Sequence, residues 1–471
     1  MPSYLSEAPP DVVFSIFIYC DIASVVSVGQ TCRYLHDLSL HQSVWLALVK
    51  DLRQRFILPP MIPDLEGART MDLITLVKRT LTGPETWNPT SSGFAPQVSQ
   101  RITLHPTIHL GAGILSWENE AKLSPSGHYV LFNNWQTLEC WDVVADTLIW
   151  KHVSNLDRAG VLLFAMDEPV DGDTLIIVIC ERTRSLERKK QVFFYIEIIE
   201  LDLRSGAHTS LLQLRCPDTS YDNPFADPAI LGNVAVVALS AYADVFLVLD
   251  WKSQSAFAVE ASGTHCGILM EIVPAHLILK TRDVRDRTGS GDLYLIDIEA
   301  TLRSHGAPVD LHAGAPFHPV TLDDLPKILT QSIMPSVEGS PRTSHQLSVC
   351  RSPLHTDIYR IWVFHSHTDA VLCSYDLSLR PATAPSWIER TRAPARHVFY
   401  HHRIAYSGHT EFFERIEGRP GVVSQIAPPV LTPTRGELDL PGDCADPIDV
   451  SAYFGALTFA TNSEVIILYF K

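Results

Sequence analysis

The sequence of 471 residues predicts a small all-α module followed by a long all-β domain. Up to about residue 81, apolar residues recur every three or four positions, which is the period of an amphipathic helix. After residue 100 they fall into short runs bounded by turn residues, which is typical of strands. A chain of this length exceeds one compact core, so we expect domains at 1–58, 59–97 and 98–471, the middle one a connector helix and linker.

The composition favours a folded, acidic protein. Hydrophobic residues make up 46% of the chain, charged residues make up 19%, and the formal net charge is −16. An acidic surface repels phosphate backbones, so we expect no nucleic-acid partner. The nine cysteines never form a Cys-x-x-Cys pair and mostly lie in apolar runs. This usage indicates a reducing compartment, the cytoplasm or the nucleus.

Two apolar stretches have some features of membrane signals. Residues 12–20 are preceded by acidic residues, whereas a signal peptide begins with basic ones. Residues 230–249 are interrupted by Asp244, and two strands at 234–239 and 245–251 explain them better. We therefore expect no membrane segment.

The N-terminal module begins with a helix at Pro10-Asp11. Proline suits the first helical turn, and an early carboxylate interacts well with the helix dipole. Gly29 is expected to divide the second helical stretch into two helices. The apolar residues recur at one-face spacing in three stretches: 12–20, 25–38 and 45–56.

The order of these residues resembles the F-box. The matching positions are Leu5, Pro10-Asp11-Val12-Val13, Ile16-Phe17, Tyr19-Cys20-Asp21, Val25, Thr31-Cys32-Arg33, Leu35 and Val44-Trp45. The resemblance covers about residues 5–49. It departs from the family pattern at residues 6–9, which separate Leu5 from Pro10, and at Cys20, where leucine is usual.

The resemblance implies that the first helix and the loop before it bind a Skp-family adaptor, which bridges to a cullin. Recognition of a helix in a groove needs a few apolar anchors on one face. The alternative is that the same residues only build the core of a three-helix bundle. Carried over by position, the anchors are Pro10, Val13, Ile16, Phe17, Val25 and, more weakly, Val28.

A second resemblance concerns residues 72–81 and Trp87, which look like the helix and tryptophan that follow the F-box in many fungal F-box proteins. Leu73, Val77 and Leu81 form an apolar stripe on this helix. We interpret the segment as a connector that holds the β domain against the module.

The β domain contains a unit, residues 123–150, that resembles one blade of a WD-type β-propeller. One of its strands ends in Trp141-Asp142. The repetition favours a degenerate β-propeller of six to eight blades over a sandwich or another all-β fold, with residues 453–470 completing the ring. Four later strands also end in a hydrophobic residue followed by aspartate: Leu201-Asp202, Leu249-Asp250, Ile296-Asp297 and Tyr375-Asp376.

Two arginine-rich loops, 182–190 and 282–292, are predicted between the middle strands of their blades. In a propeller both loops emerge on one face. We hypothesise that this face binds an acidic or phosphorylated partner, because the guanidinium fork suits phosphate. The alternative is a pair of solvated hairpin tips. The candidate substrate-binding residues are Arg182, Arg184, Arg188, Arg285 and Arg287.

No catalytic motif is found. The sequence has neither a phosphate-binding glycine loop nor a nucleophile elbow, and the histidines between 365 and 409 lack a spaced cysteine or acidic partner for a metal. We expect no enzyme activity, metal or cofactor. The leading prediction is a substrate-recognition subunit of a Skp–cullin–F-box (SCF) ubiquitin ligase. The alternatives are a propeller-type hydrolase or small-molecule binder with an incidental helical cap, and an F-box scaffold outside the ligase.

Overall fold

The structure is a computed structural model of the chain. It describes residues 4–59, 65–87, 96–108, 120–134, 137–154, 160–170, 172–184, 192–216, 224–239, 245–260, 265–283, 291–309, 319–333, 345–365, 370–381, 383–395, 401–415, 422–427, 436–438, 440–441 and 448–471. Among these residues, no helix combines the length and the apolar character needed to cross a membrane.

The N-terminal module is helical, as the apolar periodicity predicts. Pro10 occupies the first turn of its first helix, and the Asp21 carboxylate caps the second by accepting from the Ser24 amide at 2.7 Å. Gly29 is the last residue of that helix, and it lies so close to α3 that a Cβ there would be 2.4 Å from the Ser39 hydroxyl. The helices are α1 (Pro10–Ile18), α2 (Ile22–Gly29), α3 (Arg33–Ser39), α4 (Gln42–Gln54) and the connector helix α5 (Thr70–Thr82).

Among the described residues, the β domain forms seven sheets, which we call blades 1 to 7. Each blade has four antiparallel strands paired in the order given, and two further short strands extend the sheet of blade 3. Blade 1 contains β2 (Glu120–Leu123), β3 (Tyr129–Asn133), β4 (Leu138–Asp142) and β5 (Thr147–Lys151). Blade 2 contains β6 (Gly160–Asp167), β7 (Thr174–Arg184), β8 (Val192–Asp202) and β9 (His208–Arg215). Blade 3 contains β10 (Phe225–Leu231), β11 (Val234–Leu239), β12 (Val245–Asp250) and β13 (Ser255–Glu260). Blade 4 contains β14 (His265–Val273), β15 (His276–Asp283), β16 (Gly291–Asp297) and β19 (Lys327–Ile333). Blade 5 contains β20 (His345–Arg351), β21 (Ile358–His365), β22 (Ala370–Ser378) and β23 (Ser386–Ala395). Blade 6 contains β24 (His401–Ile404), β25 (Thr410–Arg415), β26 (Val422–Ala427) and β27 (Gly436–Leu438). Blade 7 contains β28 (Asp449–Val450), β29 (Ala456–Ala460), β30 (Val465–Phe470) and β1 (Val98–Leu104). A helix, α6 (Ile298–His305), and two short strands, β17 (Ala307–Pro308) and β18 (Val320–Thr321), follow β16, and both short strands pair with β13.

The seven blades form a closed ring. From blade 2 onward, the first strand of each blade contacts the first strand of the next, and β28 of blade 7 contacts β2 of blade 1. Lys122 of β2 reaches the Phe164 carbonyl of β6 at 2.8 Å, which joins blades 1 and 2. The fold is therefore a seven-bladed β-propeller, within the six to eight blades expected from the sequence.

The outer strand of blade 7 comes from the N-terminal side of the domain. Strand β1 pairs antiparallel with β30 from Val98, opposite Phe470, to Leu104, opposite Val465. The last blade thus combines the first and the last strands of the β domain. The sequence predicts that the C-terminal strands complete the ring, and they do so together with β1.

The repeated aspartates lie at or near the ends of the third strands in blades 1 to 5, and most of them stabilise turns. In blades 1 to 3 one carboxylate oxygen accepts two amide hydrogen bonds from the following turn, at 2.8–3.2 Å. Asp297 instead caps α6, and Asp376 pairs with Arg360 and Arg390. The three turn-stabilising residues are Asp142, Asp202 and Asp250.

The connections between strands lie on two opposite faces of the ring, because neighbouring strands are antiparallel. Turns from first to second strand and from third to fourth strand lie on one face, which we call the turn face. Connections from second to third strand and from blade to blade start and end on the other face, which we call the loop face. Lys471 follows β30, the third strand of blade 7, and so lies at the turn face.

Trp87 anchors the connector to the turn face. Its side chain is 1% exposed, and its ring centroid lies 5.4 Å from that of Phe470. Arg79 of α5 donates to the Phe470 carbonyl, and the Thr86 amide donates to the Lys471 carbonyl at 3.1 Å. The connector is therefore bonded to the end of β30.

His409 lies beneath this connector, in the turn between β24 and β25. Its Nδ1 is 2.8 Å from the Ser407 hydroxyl, and its ring centroid is 5.5 Å from that of Trp87. Burial lowers the pKa of His409 to about 4, opposed only in part by the nearby Trp87 backbone. The imidazole is therefore neutral at physiological pH.

We expect acidification to destabilise the fold through His409. An unfolded histidine has a pKa of about 6.5, so between that pH and about 4 the unfolded chain binds a proton that the folded chain excludes. The stability that the neutral His409 ring contributes is complete above pH 6.5. The free energy of unfolding should fall by about 2 kcal/mol between pH 7 and pH 5. Urea unfolding of the wild type and of His409→Asn, at both pH values, measures this fall in the free energy of unfolding.

The Asn variant should lose this part of the pH dependence because it has no titrating ring. His36, an exposed residue of α3, provides the control: His36→Asn should keep the wild-type pH dependence. An unchanged pH dependence in His409→Asn would show that the buried ring does not contribute.

Candidate docking surface and target-binding face

The helical module packs on the turn face at blade 5. The Ala23 amide donates to the Leu354 carbonyl, in the turn between β20 and β21, at 3.2 Å. Arg55 donates through Nη1 to the Ser352 carbonyl at 3.2 Å and through Nη2 to the Pro353 carbonyl at 3.3 Å. The Leu354 side chain also packs against the apolar core of the module. One turn of the propeller is thus held by backbone and side-chain contacts together.

Asp21 links helix capping to this contact. One carboxylate oxygen caps α2, and the other lies 2.9 Å from His355 Nδ1. Burial raises the pKa of Asp21, but the hydrogen bonds from Ser24 and His355 outweigh it, so the pKa is lowered overall. A charged carboxylate therefore holds the start of α2 and the propeller turn in one arrangement.

A second contact comes from blade 7. Tyr453, between β28 and β29, packs against the module core and donates its hydroxyl hydrogen bond to the Arg351 carbonyl at 2.9 Å. Gly455 in the same turn meets Pro84 of the connector so closely that a Cβ would overlap the proline ring. Its φ of 61° also favours glycine. Blades 5 and 7 together support the module.

The structure separates the predicted adaptor anchors into two groups. Val13, Phe17 and Val25 are at most 1% exposed and form part of the module's own core. Pro10 is exposed, and Val28 is partly buried against the core. Ile16 is 42% exposed. Val13, Phe17 and Val25 therefore pack inside the module, whereas Pro10 and Ile16 lie on its surface.

An exposed apolar stripe follows α1 beside the buried one. Val12 is 45% exposed, and Tyr19, just after the helix, is 91% exposed. With Ile16, they are spaced by four and three residues and so lie on one side of the helix. Val26 of α2 is also apolar and 40% exposed. We call Val12, Ile16, Tyr19 and Val26 the α1–α2 stripe.

The segment before α1 is fixed by a contact that the sequence comparison with the F-box did not suggest. The Tyr34 hydroxyl donates to the Ala8 carbonyl at 2.6 Å, and Leu5 packs against the module core. Residues 6–9 thus form a defined approach to α1.

Two of the five predicted arginines, Arg182 and Arg184, lie in the part of β7 that ends at the loop face. Arg182 is partly buried near the end of β7, where it pairs in register with Phe194 of β8. Arg184 ends β7 opposite Val192, and only its backbone is described. The loops after β7 and β15 both join a second to a third strand, so they start from the same face. Arg188, Arg285 and Arg287 lie outside the described residues.

Three buried cysteines, Cys140, Cys180 and Cys216, pack in the cores of the blades. Burial raises the pKa of Cys216 to about 12 and raises that of Cys140 and Cys180 as well. These thiols are protonated at neutral pH and pack as apolar side chains. Of the histidines between 365 and 409, His409 is the one whose side chain is described, and it is buried in the joint below the connector.

Comparison with known proteins agrees with the helical module. Residues 6–50 match the family model described as F-box-like. No curated protein matches the chain.

Similar solved structures are β-propellers with low sequence identity. The β-propeller domain of Cps50 (Swd1) from Myceliophteria thermophila is 9% identical, with a TM-score of 0.46 over 80% of this chain and 100% of that one. The WD40 domain of SCAP from fission yeast is 11% identical, with a TM-score of 0.39 over 74% and 81%. The C-terminal WD40 domain of Sif2 is 12% identical, with a TM-score of 0.38 over 80% and 100%. With its own seven-bladed ring and the match at residues 6–50, this chain carries an F-box-like domain followed by a β-propeller.

Proposed function

We propose that the chain is the substrate-recognition subunit of an SCF-type ubiquitin ligase. In this proposal the F-box-like domain binds a Skp-family adaptor and, through it, a cullin, while the propeller binds the target protein. The observation that carries the proposal is the exposed α1–α2 stripe on an F-box-like domain.

The stripe has the properties of a helix docking surface. Its side chains are apolar and exposed, although the module has a filled core and is also packed on the propeller. Burying one such side chain fully is worth about 1.5–3 kcal/mol, so four partly buried ones supply several kcal/mol of binding. A groove that accepts residues at i, i+4 and i+7 of a helix matches the spacing of Val12, Ile16 and Tyr19.

The two faces of the propeller support separate binding roles, one for the F-box-like domain and one for the target protein. The F-box-like domain occupies the turn face at blades 5 and 7, which leaves the loop face directed away from it. A ligase receptor acts by bringing its target close to the transfer machinery, and it needs no catalytic residue for that. We therefore propose the loop face as the target-binding surface.

The chemistry of the loop face favours an acidic or phosphorylated target. Both arginine-rich loops start from this face, from β7 and from β15. The rest of the chain is strongly acidic, so local clusters of guanidinium groups are the surfaces that attract phosphate.

We expect Ile16→Asp to weaken adaptor binding strongly. A carboxylate in an apolar groove loses its hydration without gaining a partner, so the dissociation constant should rise at least ~30-fold, which corresponds to ~2 kcal/mol. The measurement is co-purification and calorimetry of the full chain with a Skp-family adaptor, and the chain should also bring down a cullin through the adaptor.

Met71→Asp is the matched control, because Met71 is an apolar residue of α5 that is 65% exposed and lies outside the stripe. This variant should bind like the wild type. Phe17→Asp tests the fold instead, since its ring is buried, and it should lower thermal stability. Wild-type affinity in Ile16→Asp would contradict the docking surface, and adaptor binding without a cullin would favour a scaffold role outside the ligase.

We expect the combined change of Arg182, Arg184 and Arg285 to glutamine to weaken target capture at least tenfold and to leave adaptor binding unchanged. The measurement is binding of a library of acidic phosphopeptides, with each peptide also tested in its unphosphorylated form.

The matched control changes three exposed arginines of the turn face, Arg204, Arg303 and Arg380, to glutamine. It removes the same charge from the other side of the ring and should retain peptide binding. Equal binding by both triple variants would rule out the loop-face arginines as the phosphate-binding groups.

A further inference from the structure

Three metal-ligating side chains meet between blades 1 and 2, toward the loop face. His152 follows β5, Glu181 lies in β7, and Glu197 lies in β8. One potential ligand atom from each residue lies within 4.8 Å of the other two. Because the three residues belong to two blades, the rigid ring itself brings them together.

Each ligand is oriented by a neighbouring group. His152 Nε2 lies 2.6 Å from Glu181 Oε1. The Ser154 hydroxyl donates to Glu181 Oε2 at 3.2 Å, and the Ser210 hydroxyl donates to Glu197 Oε1 at 2.7 Å. Hydroxyl groups of this kind serve as outer-shell partners that fix the carboxylates of a metal site.

The charge of the cluster lacks a described counterpart. Glu181 is 0% exposed and Glu197 is 7% exposed. In the part of the chain that is described, no lysine or arginine pairs with either carboxylate, and the nearby Lys151 binds Glu139 at 2.9 Å. Two carboxylates withdrawn from water are costly without a cation.

His152 supplies the nitrogen atom of the cluster. It is 4% exposed, and its Nε2 points into the cluster, but among the described residues its Nδ1 has no hydrogen-bond partner. The cluster therefore brings one imidazole nitrogen and two carboxylates together at a buried position.

We propose that His152, Glu181 and Glu197 bind a divalent transition metal ion of the Zn²⁺ class. Nε2 and one oxygen of each carboxylate provide three ligands, and water at the slightly exposed Glu197 side completes four. The contact between His152 and Glu181 must open slightly, because two ligands bound at about 2.0–2.2 Å in a tetrahedron stand more than 3 Å apart.

The ligand set favours this ion class over others. Ca²⁺ and Mg²⁺ prefer oxygen ligands throughout, whereas an imidazole beside carboxylates suits Zn²⁺ and its neighbours. The ion would join blade 1 to blade 2 near the loop face. This inference is independent of the proposed ligase function.

The test uses the purified full chain after chelator treatment and dialysis. Calorimetric titration with Zn²⁺ should show one ion per chain and a higher melting temperature, and Co²⁺ should give the absorption of a tetrahedral site. The Glu181→Gln/Glu197→Gln variant should lose the equimolar binding and the thermal shift. Glu168→Gln, at another buried carboxylate, which accepts from the Ser126 amide at 2.9 Å, should keep both.

The wild-type titration overturns the proposal by itself if it shows no equimolar binding, so the test does not depend on the folding of the double variant. Glu197→Gln alone, at the less buried of the two carboxylates, provides a second variant and should also lose the Co²⁺ absorption. Equal Zn²⁺ binding in the wild type and both variants would assign the ion to other histidines and would also overturn the proposal.

Discussion

The pairing of β1 with β30 is the constraint on which the rest of the structure depends. It supplies the fourth strand of blade 7 from the N-terminal side, so the ring closes by backbone hydrogen bonds between distant parts of the chain. Strand β1 starts at the turn face, where the Gln97 carbonyl accepts from the Lys471 amide at 3.0 Å. The connector that precedes β1 must therefore end at this face, and the helical module must lie beside it. The strand pairing that closes the ring therefore also determines where the module lies.

This placement explains why the module–propeller contact consists of turns. The first-to-second strand turns of blades 5, 6 and 7 provide Leu354, His409 and Tyr453, which pack against the module or its connector. Strands already paired within blades hold these turns rigidly, so the F-box-like domain has a fixed orientation relative to the loop face. A receptor that must present a bound target in one direction depends on such rigidity. The apolar stripe on α1 and α2 stays clear of the joint and is exposed, as the proposed adaptor contact requires.

Much of the fold could be predicted from local patterns, but the functional surface could be predicted only in part. Turn chemistry repeats from blade to blade, so aspartates such as Asp142 mark the third strands in the amino-acid sequence itself. Blade 6 has no such aspartate after β26, and β1 has a weak apolar alternation, so neither could be identified as part of the ring. On α1, Val12 and Val13 are both apolar, and periodicity cannot decide which of two adjacent stripes faces the core, because α3 and α4 determine that. Residues of the His152 cluster are up to 45 positions apart and meet only after blades 1 and 2 are paired.

Native-state hydrogen exchange tests the central claim most directly. If β1 closes the ring, the amides of residues 98–104 that pair with β30 should exchange as slowly as those of β30 itself, through global unfolding. The Ala23 amide, bonded to the Leu354 carbonyl, should be protected with them, since the module is held against the same ring. Exchange of β1 at the rate of exposed backbone, while β30 stays protected, would show that the ring closes without it and would contradict the account.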